Sequence, residues 1–235
     1  MTFLASAWRS SIGAKIVMAV TGIVLFLYAI AHMLGNLQVF IGQDAINAYG
    51  VLLRAFPPFL VVARAVLLLS VGLHIIAAIR VTLLNRAARP ERYAVRKAQE
   101  ASLAARTLLV SGVLIATYVV YHVMHFTTRN FATTYSELHD SAGRHDIYSM
   151  VVGSFQDPII SIAYIVAMIL VAFHLSHGIG GFMQTLGWTH PRYGTRRLGL
   201  VIATIIAIGY IAVPVASLLG ILELPAGAEM AAGGH

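Results

Sequence analysis

This sequence predicts an all-α integral membrane bundle of five transmembrane helices, and three observations carry the prediction. Of its 235 residues, 59% are hydrophobic and 11% charged, where soluble globular domains run near 45–50% apolar and about 25% charged. Mean hydropathy is +0.82. Five apolar stretches also reach the roughly 20 residues that a helix needs to cross a hydrocarbon core. The whole chain, 1–235, reads as a single membrane-anchor domain.

The first span, Gly13–Gly35, is too long for a signal-peptide core and no cleavage-site pattern follows it, so it reads as a permanent helix. Asn36 to Phe56 mixes apolar and polar residues and predicts a short interfacial helix around Ala45-Ile46-Asn47-Ala48-Tyr49. The second span is Pro58–Val81. A basic loop then leads to the third, Ala104–Thr127. Thr128 to Asp157 is polar, then amphipathic, as a segment capping the bundle would be. The fourth and fifth spans are Pro158–Met183 and Leu198–Gly220. Pro214 does not break the latter, because proline is tolerated in membrane helices. Residues 222–235, rich in Ala and Gly from Pro225 onward, read as a flexible tail. No internal repeat is apparent.

The charges sort by side. Twelve of the sixteen Lys and Arg residues fall at Arg9, Lys15, the segment Arg80 to Arg106, and Arg192, Arg196 and Arg197. Seven of the nine acids lie on the other side. Short basic loops stay cytoplasmic, which predicts the N-terminus inside and the C-terminus outside. Topology therefore accounts for the net charge of +7, and no nucleic-acid partner is needed. The absence of cysteine excludes thiol nucleophiles, disulfides and cysteine-ligated clusters within the chain.

Six of the ten histidines fall inside spans: His32, His74, His122, His125, His174 and His177. Ionisable residues in membrane helices are rare and mark functional interiors. At 1.5 Å per residue, His32 and His122 sit about 5–8 Å below the outer surface, and His74 and His174 about 10–14 Å above the inner one. They form two level pairs on alternating helices. Facing imidazoles at one depth suit bis-histidine haem b. His125 and His177 each follow a paired histidine by three residues, on one helix face, and spacing alone leaves open which member of each His-x-x-His is a ligand. A metal site using both members would want carboxylates, and the five spans contain no Asp or Glu. The second histidines are otherwise candidates for a haem propionate, a quinone or a backbone carbonyl. Arg80, about 9 Å inward of His74, is a candidate for an inner propionate, and Arg64 or Arg129 for an outer one. Gly22, Gly72 and Gly112 are small enough to admit a porphyrin face.

Several fragments then align with a known family. They are Ser10-Ser11-Ile12-Gly13-Ala14-Lys15, Met18-Ala19-Val20-Thr21-Gly22, His32-Met33-Leu34-Gly35-Asn36-Leu37-Gln38, Tyr121-His122-Val123 and Asp146-Ile147-Tyr148. His174-Leu175-Ser176-His177-Gly178, leading into Gln184-Thr185-Leu186-Gly187-Trp188, completes the set. In order and spacing the chain resembles the five-helix, di-haem cytochrome b subunit (cytochrome b558 family) of succinate:quinone oxidoreductases, that is, of succinate dehydrogenases and fumarate reductases. The resemblance implies four helices enclosing two stacked haem b groups. It assigns His32 and His122 to the outer haem and His74 and His174 to the inner one, with His125 and His177 beside them. It also implies two partners on the cytoplasmic face of a bacterial membrane: an FAD flavoprotein holding the succinate site and an iron–sulfur subunit. Electrons would pass through the haems to a quinone, menaquinone more than ubiquinone, and the complexes would associate as trimers. Ser11, Lys15 and Trp188 are the candidate quinone contacts. One departure is Ala63-Arg64 at the outer start of the second helix, where some members carry a glutamate tied to quinone or proton handling.

Two other classes compete. One is the cytochrome b anchor of a hydrogenase or formate dehydrogenase. The other is a histidine-based membrane metal transporter, although ion-coupled transport usually leans on membrane carboxylates.

Overall fold

The computed structural model describes residues 10–88, 103–131, 134–189 and 194–228. Arg9, most of the basic loop after the second span, Arg192 and the last seven residues lie outside them. Among the described residues seven α-helices run in the order α1 (Ser11–Asn36), α2 (Gln43–Arg54), α3 (Pro57–Ala87), α4 (Leu103–His122), α5 (Ile147–Gln156), α6 (Pro158–Thr185) and α7 (Thr195–Leu218). Five of them, α1, α3, α4, α6 and α7, are long and apolar enough to cross a membrane. The protein is a multi-pass membrane bundle.

Local chemistry sets the helix limits. Ser10 caps α1, its hydroxyl accepting from the Gly13 amide at 2.9 Å. Asp157 caps α6, its carboxylate accepting from the amides of Ile159 and Ile160, with Pro158 at the first helical position where no amide is needed. Helix α3 runs six residues beyond the expected Val81. Thr82 satisfies its hydroxyl on the Ala78 carbonyl and nothing breaks the ladder until the segment before Pro90. After His122, α4 continues as a π-helical turn, Val123–Thr127. Such i→i+5 turns recur at functional sites.

In cross-section α1 packs against α3 and α6, α6 against α4, and α7 lies on α6 and α1. Within the four-helix ring the diagonals are α1–α4 and α3–α6. Tyr210 ties α7 to α1 through a 2.7 Å hydrogen bond to the Ala29 carbonyl. Gly199 allows α7 to approach the α6 backbone, since a Cβ there would lie 2.6 Å from the Ser176 carbonyl oxygen.

The densest packing is at one end. The expected interfacial helix is α2, and the expected capping segment holds α5. Together they cover the bundle with a core of Val39, Ile46, Tyr148, Val152 and Phe155 against Tyr164 and Val213. Asp146 organises this cap. Its buried carboxylate accepts from Gln43 Nε2 (2.8 Å), Asn47 Nδ2 (3.0 Å), and the amide and hydroxyl of Ser149. The Asp146-Ile147-Tyr148 fragment is thus the start of α5, with Tyr148 Oη donating to the Glu223 carbonyl. Of the segment 222–235, expected as a flexible tail, residues 222–228 pack against the cap and 229–235 lie outside the described residues. Leu222 and Ala228 are buried, and the Ala228 amide closes a turn onto the Pro225 carbonyl. Apolar side chains brought to the cap by α7 find a core there. The other end of the bundle carries Lys15, Arg80, Arg86, Arg196 and Arg197 and is called the basic end below.

Candidate functional site: two imidazole pairs across the bundle

The four histidines of the level pairs meet across the diagonals. His32 on α1 faces His122 on α4 with ring centroids 5.8 Å apart, and His74 on α3 faces His174 on α6 at 6.3 Å. Neither pair of helices packs closely backbone to backbone, so the diagonals are bridged by imidazoles. One metal between two imidazoles, at about 2 Å from each nitrogen and about 1.1 Å more to each centroid, needs roughly 6.2 Å. Both pairs stand near that spacing.

The hydrogen bonds of the rings decide which nitrogens are free. His74 Nδ1 lies 3.1 Å from the Met18 carbonyl and 3.2 Å from Thr21 Oγ1. His174 Nδ1 lies 3.4 Å from Ser111 Oγ, and His122 Nδ1 lies 3.4 Å from Tyr164 Oη. For His74 and His174 the Nε2 lone pair is then left for a ligand, and for His122 it is left when Tyr164 accepts rather than donates; an acceptor on the far nitrogen makes an imidazole a stronger donor to a metal. His32 differs. Its Nε2 is 3.4 Å from Asn36 Nδ2, and its ring stacks on Tyr28 at 5.4 Å and 7°. Ligation through that nitrogen requires release of Asn36.

A repeat that is faint in sequence becomes plain here. Thr21-Gly22 precedes His32 and Ser111-Gly112 precedes His122, with nine residues between in each case. Each hydroxyl-glycine pair cradles the histidine of the other level. A Cβ on Gly22 would stand 3.3 Å from His74 Cε1, and one on Gly112 3.5 Å from His174 Cε1. Arg64 and Tyr164 likewise precede His74 and His174 by ten. The α1–α3 and α4–α6 pairs thus share the spacing of hydroxyl, glycine and histidine. At 1.5 Å per residue, the offset of ten to eleven residues from cradle to histidine sets the two levels about 15–16 Å apart. Outside these positions the halves share only apolar character, so the likeness is confined to this spacing. Thr21, Ser111 and Tyr164 were missed because hydroxyls in membrane helices commonly just bond the preceding turn.

The other expected residues divide. His125 is buried in the π turn, with Nδ1 3.0 Å from Tyr164 Oη and no partner on Nε2 among the described residues. His177 is half-buried on α6, one turn toward the basic end from His174, and Arg80 is half-buried on the same side of the level. Arg64 is exposed. Arg129, at φ 58°, is engaged by the cap: it donates to the Ser136 carbonyl and His145 Nε2, both at 3.2 Å, and pairs with Glu137 at 3.0 Å. Gly72 has open space around it. At the basic end Lys15 lines an open cleft of about 330 Å³ with Ile12, Gln184 and Thr185. Ser11 is exposed at the start of α1, and Trp188, 62% exposed, is not among the cleft's lining residues.

Among the described residues no three His, Cys, Asp or Glu side chains gather to hold a metal. Two imidazoles alone leave a bare ion two ligands short of a tetrahedral site. They suffice for a metal whose equatorial positions a planar cofactor already fills. No family model, curated protein or solved structure matches this chain. The class that fold and site define is a five-helix membrane bundle with two histidine pairs across it.

Proposed function

We propose that the chain is the membrane-anchor cytochrome b subunit of a succinate:quinone oxidoreductase, relaying electrons through two haem b groups to a membrane quinone. The observation that carries this reading is the double diagonal pairing, His32 with His122 and His74 with His174, at the spacing that two imidazoles holding one metal would need. When bound, each haem supplies a one-electron ferric–ferrous couple whose potential its surroundings tune.

The chain's own residues do the rest. His74 and His174 would hold the group nearer the basic end, and His32 and His122 the one nearer the cap. The Met18 carbonyl and the Ser111, Thr21 and Tyr164 hydroxyls would accept the Nδ1 protons of His74, His174 and His122, fix those tautomers and strengthen the donor nitrogens. Gly22 and Gly112 let the rings stand upright against the neighbouring helix. Ala14, Ala19 and Ala77, buried and small, leave width between the helices. At the basic end the Lys15 ammonium and Gln184 amide supply donors for a quinone carbonyl in a cleft whose volume is at the lower end of the about 300–1,000 Å³ of ligand pockets. Menaquinone is the expected quinone of a di-haem anchor.

By the excess of basic residues this end faces the cytoplasm of a bacterial cell. There the flavoprotein and iron–sulfur subunits would dock. With no cysteine of its own, the chain depends on a partner for iron–sulfur clusters. The test is haem b per chain by pyridine haemochrome on the purified membrane complex, with a spectrum after succinate and another after dithionite. Two haems per chain, partly reduced by succinate, are expected. Absence of haem overturns the relay, and haem that succinate leaves oxidised in the intact complex overturns the assignment to succinate oxidation.

A further inference from the structure

Tyr164 sits 5% exposed on α6, its hydroxyl between two histidine nitrogens: His122 Nδ1 at 3.4 Å and His125 Nδ1 at 3.0 Å. A hydroxyl has one proton to give. If it donated to His122, that ring would carry its proton on Nε2 and could not use Nε2 as a ligand. Ligation therefore selects one direction. His122 Nδ1–H donates to Tyr164, Tyr164 donates to His125 Nδ1, and His125 keeps its proton on Nε2. That Nε2 is buried without a partner among the described residues. An apolar residue in the same pocket, against Phe126 at 4.1 Å, would avoid this penalty. A histidine there is explained by the acceptor it offers to Tyr164. The π turn Val123–Thr127, opened by the Thr128 amide bonding the Val123 carbonyl at 2.9 Å, begins directly after His122 and carries His125.

We propose that Tyr164 is a positioning residue for His122 and that His125 acts through Tyr164, the three forming a hydrogen-bond chain that holds the cap-side imidazole in its ligating tautomer. The inference rests on the haem reading above. An acceptor on Nδ1 makes the imidazole more basic and favours the ferric state, so the chain lowers the cap-side potential. Donation to His125 polarises the Tyr164 oxygen and strengthens that effect.

The test is a potentiometric titration of both haems in the intact complex, with low-temperature electron paramagnetic resonance of the ferric signals. The proteins compared are wild type, Tyr164→Phe, His125→Phe and the double variant. Tyr164→Phe is expected to raise the cap-side potential and alter its signal while leaving the other haem unmoved. His125→Phe should give a smaller rise in the same haem, and the double variant should match Tyr164→Phe alone. An unmoved cap-side potential in Tyr164→Phe, additive shifts, or equal shifts of both haems would overturn the inference with the haem reading intact. If Tyr164→Phe loses that haem, His125→Phe decides: a rise supports the chain and no rise overturns it. Wild-type protein without haem overturns the reading itself.

Discussion

His74 Nδ1 lies 3.1 Å from the main-chain carbonyl oxygen of Met18. A carbonyl only accepts, so this contact fixes the proton on Nδ1 and leaves Nε2 without one. Thr21 Oγ1, spending its own proton on the Val17 carbonyl at 2.7 Å, is a second acceptor. The ring is held by α1 rather than by its own helix, and Gly22 sets how close α1 comes. Gly22→Ala would bring a methyl to 3.3 Å from His74 Cε1, a contact the ring must yield to, whereas Gly112→Ala meets His174 at an ordinary 3.5 Å. Gly22→Leu is therefore expected to reduce haem from two per chain to one, and Gly112→Ala to retain both. Pyridine haemochrome on the purified variants reads the difference.

The diagonal geometry predicts which variants resemble each other. His74→Ala and His174→Ala, a hundred residues apart in sequence, should remove the same spectral component, and His32→Ala and His122→Ala the other. Each leaves about one haem per chain, because one axial imidazole lost leaves the second without its opposite ligand. Reduced-minus-oxidised spectra at low temperature check this. Grouping by successive helices, His74 with His32 or His122 with His174, would contradict the pairing.

Gly199 tests how far the fifth helix supports the site. A methyl at this position would sit 2.6 Å from the Ser176 carbonyl, a backbone atom between His174 and His177. Gly199→Ala must push α7 away from α6, at a cost of about 1–3 kcal/mol for an overpacked contact. The expected outcome is a lower midpoint in thermal unfolding followed by loss of the basic-side haem signal before the cap-side one.

The five spans were legible because burial in lipid requires an unbroken apolar run, which composition alone displays. The histidine levels were legible for a related reason, since 1.5 Å per residue converts position into depth without knowledge of packing. What could not be read was azimuth. Whether Arg129 turned inward or into the cap depended on a left-handed residue and on Ser136, Glu137 and His145, which the chain brings back from a distance. Thr21, Ser111 and Tyr164 acquire their roles only once the facing helix is known. The packed segment after Leu218 was hidden likewise, because its partner Tyr148 is 75 residues earlier.

The cap gives the last prediction, from its carboxylates. Asn47, 1% exposed, donates from Nδ2 to both Asp140 and Asp146 at 3.0 Å and accepts from the Tyr148 amide at 3.1 Å. Asp140 also accepts from the amides of Ala142 and Arg144 and pairs with the Arg144 guanidinium at 2.7 Å. Those donors outweigh the cost of its burial and hold its carboxyl down to about 2, from 3.8. A depressed carboxyl contributes stability that is complete above its unfolded value and lost as pH falls through the folded one. The cap should thus keep this contribution above pH 4 and lose it progressively toward pH 2. Asn47→Ala strips a donor from two carboxylates and an acceptor from a buried amide, at about 1–3 kcal/mol for each buried group left unpaired. It is expected to expose α5 and the 134–146 segment to hydrogen exchange already at neutral pH, whereas Asp140→Asn should flatten the wild-type acid dependence between pH 4 and 2. Exchange of amides 140–150 followed by mass spectrometry across that range decides it, and an acid dependence unchanged in Asp140→Asn would assign the transition to another group.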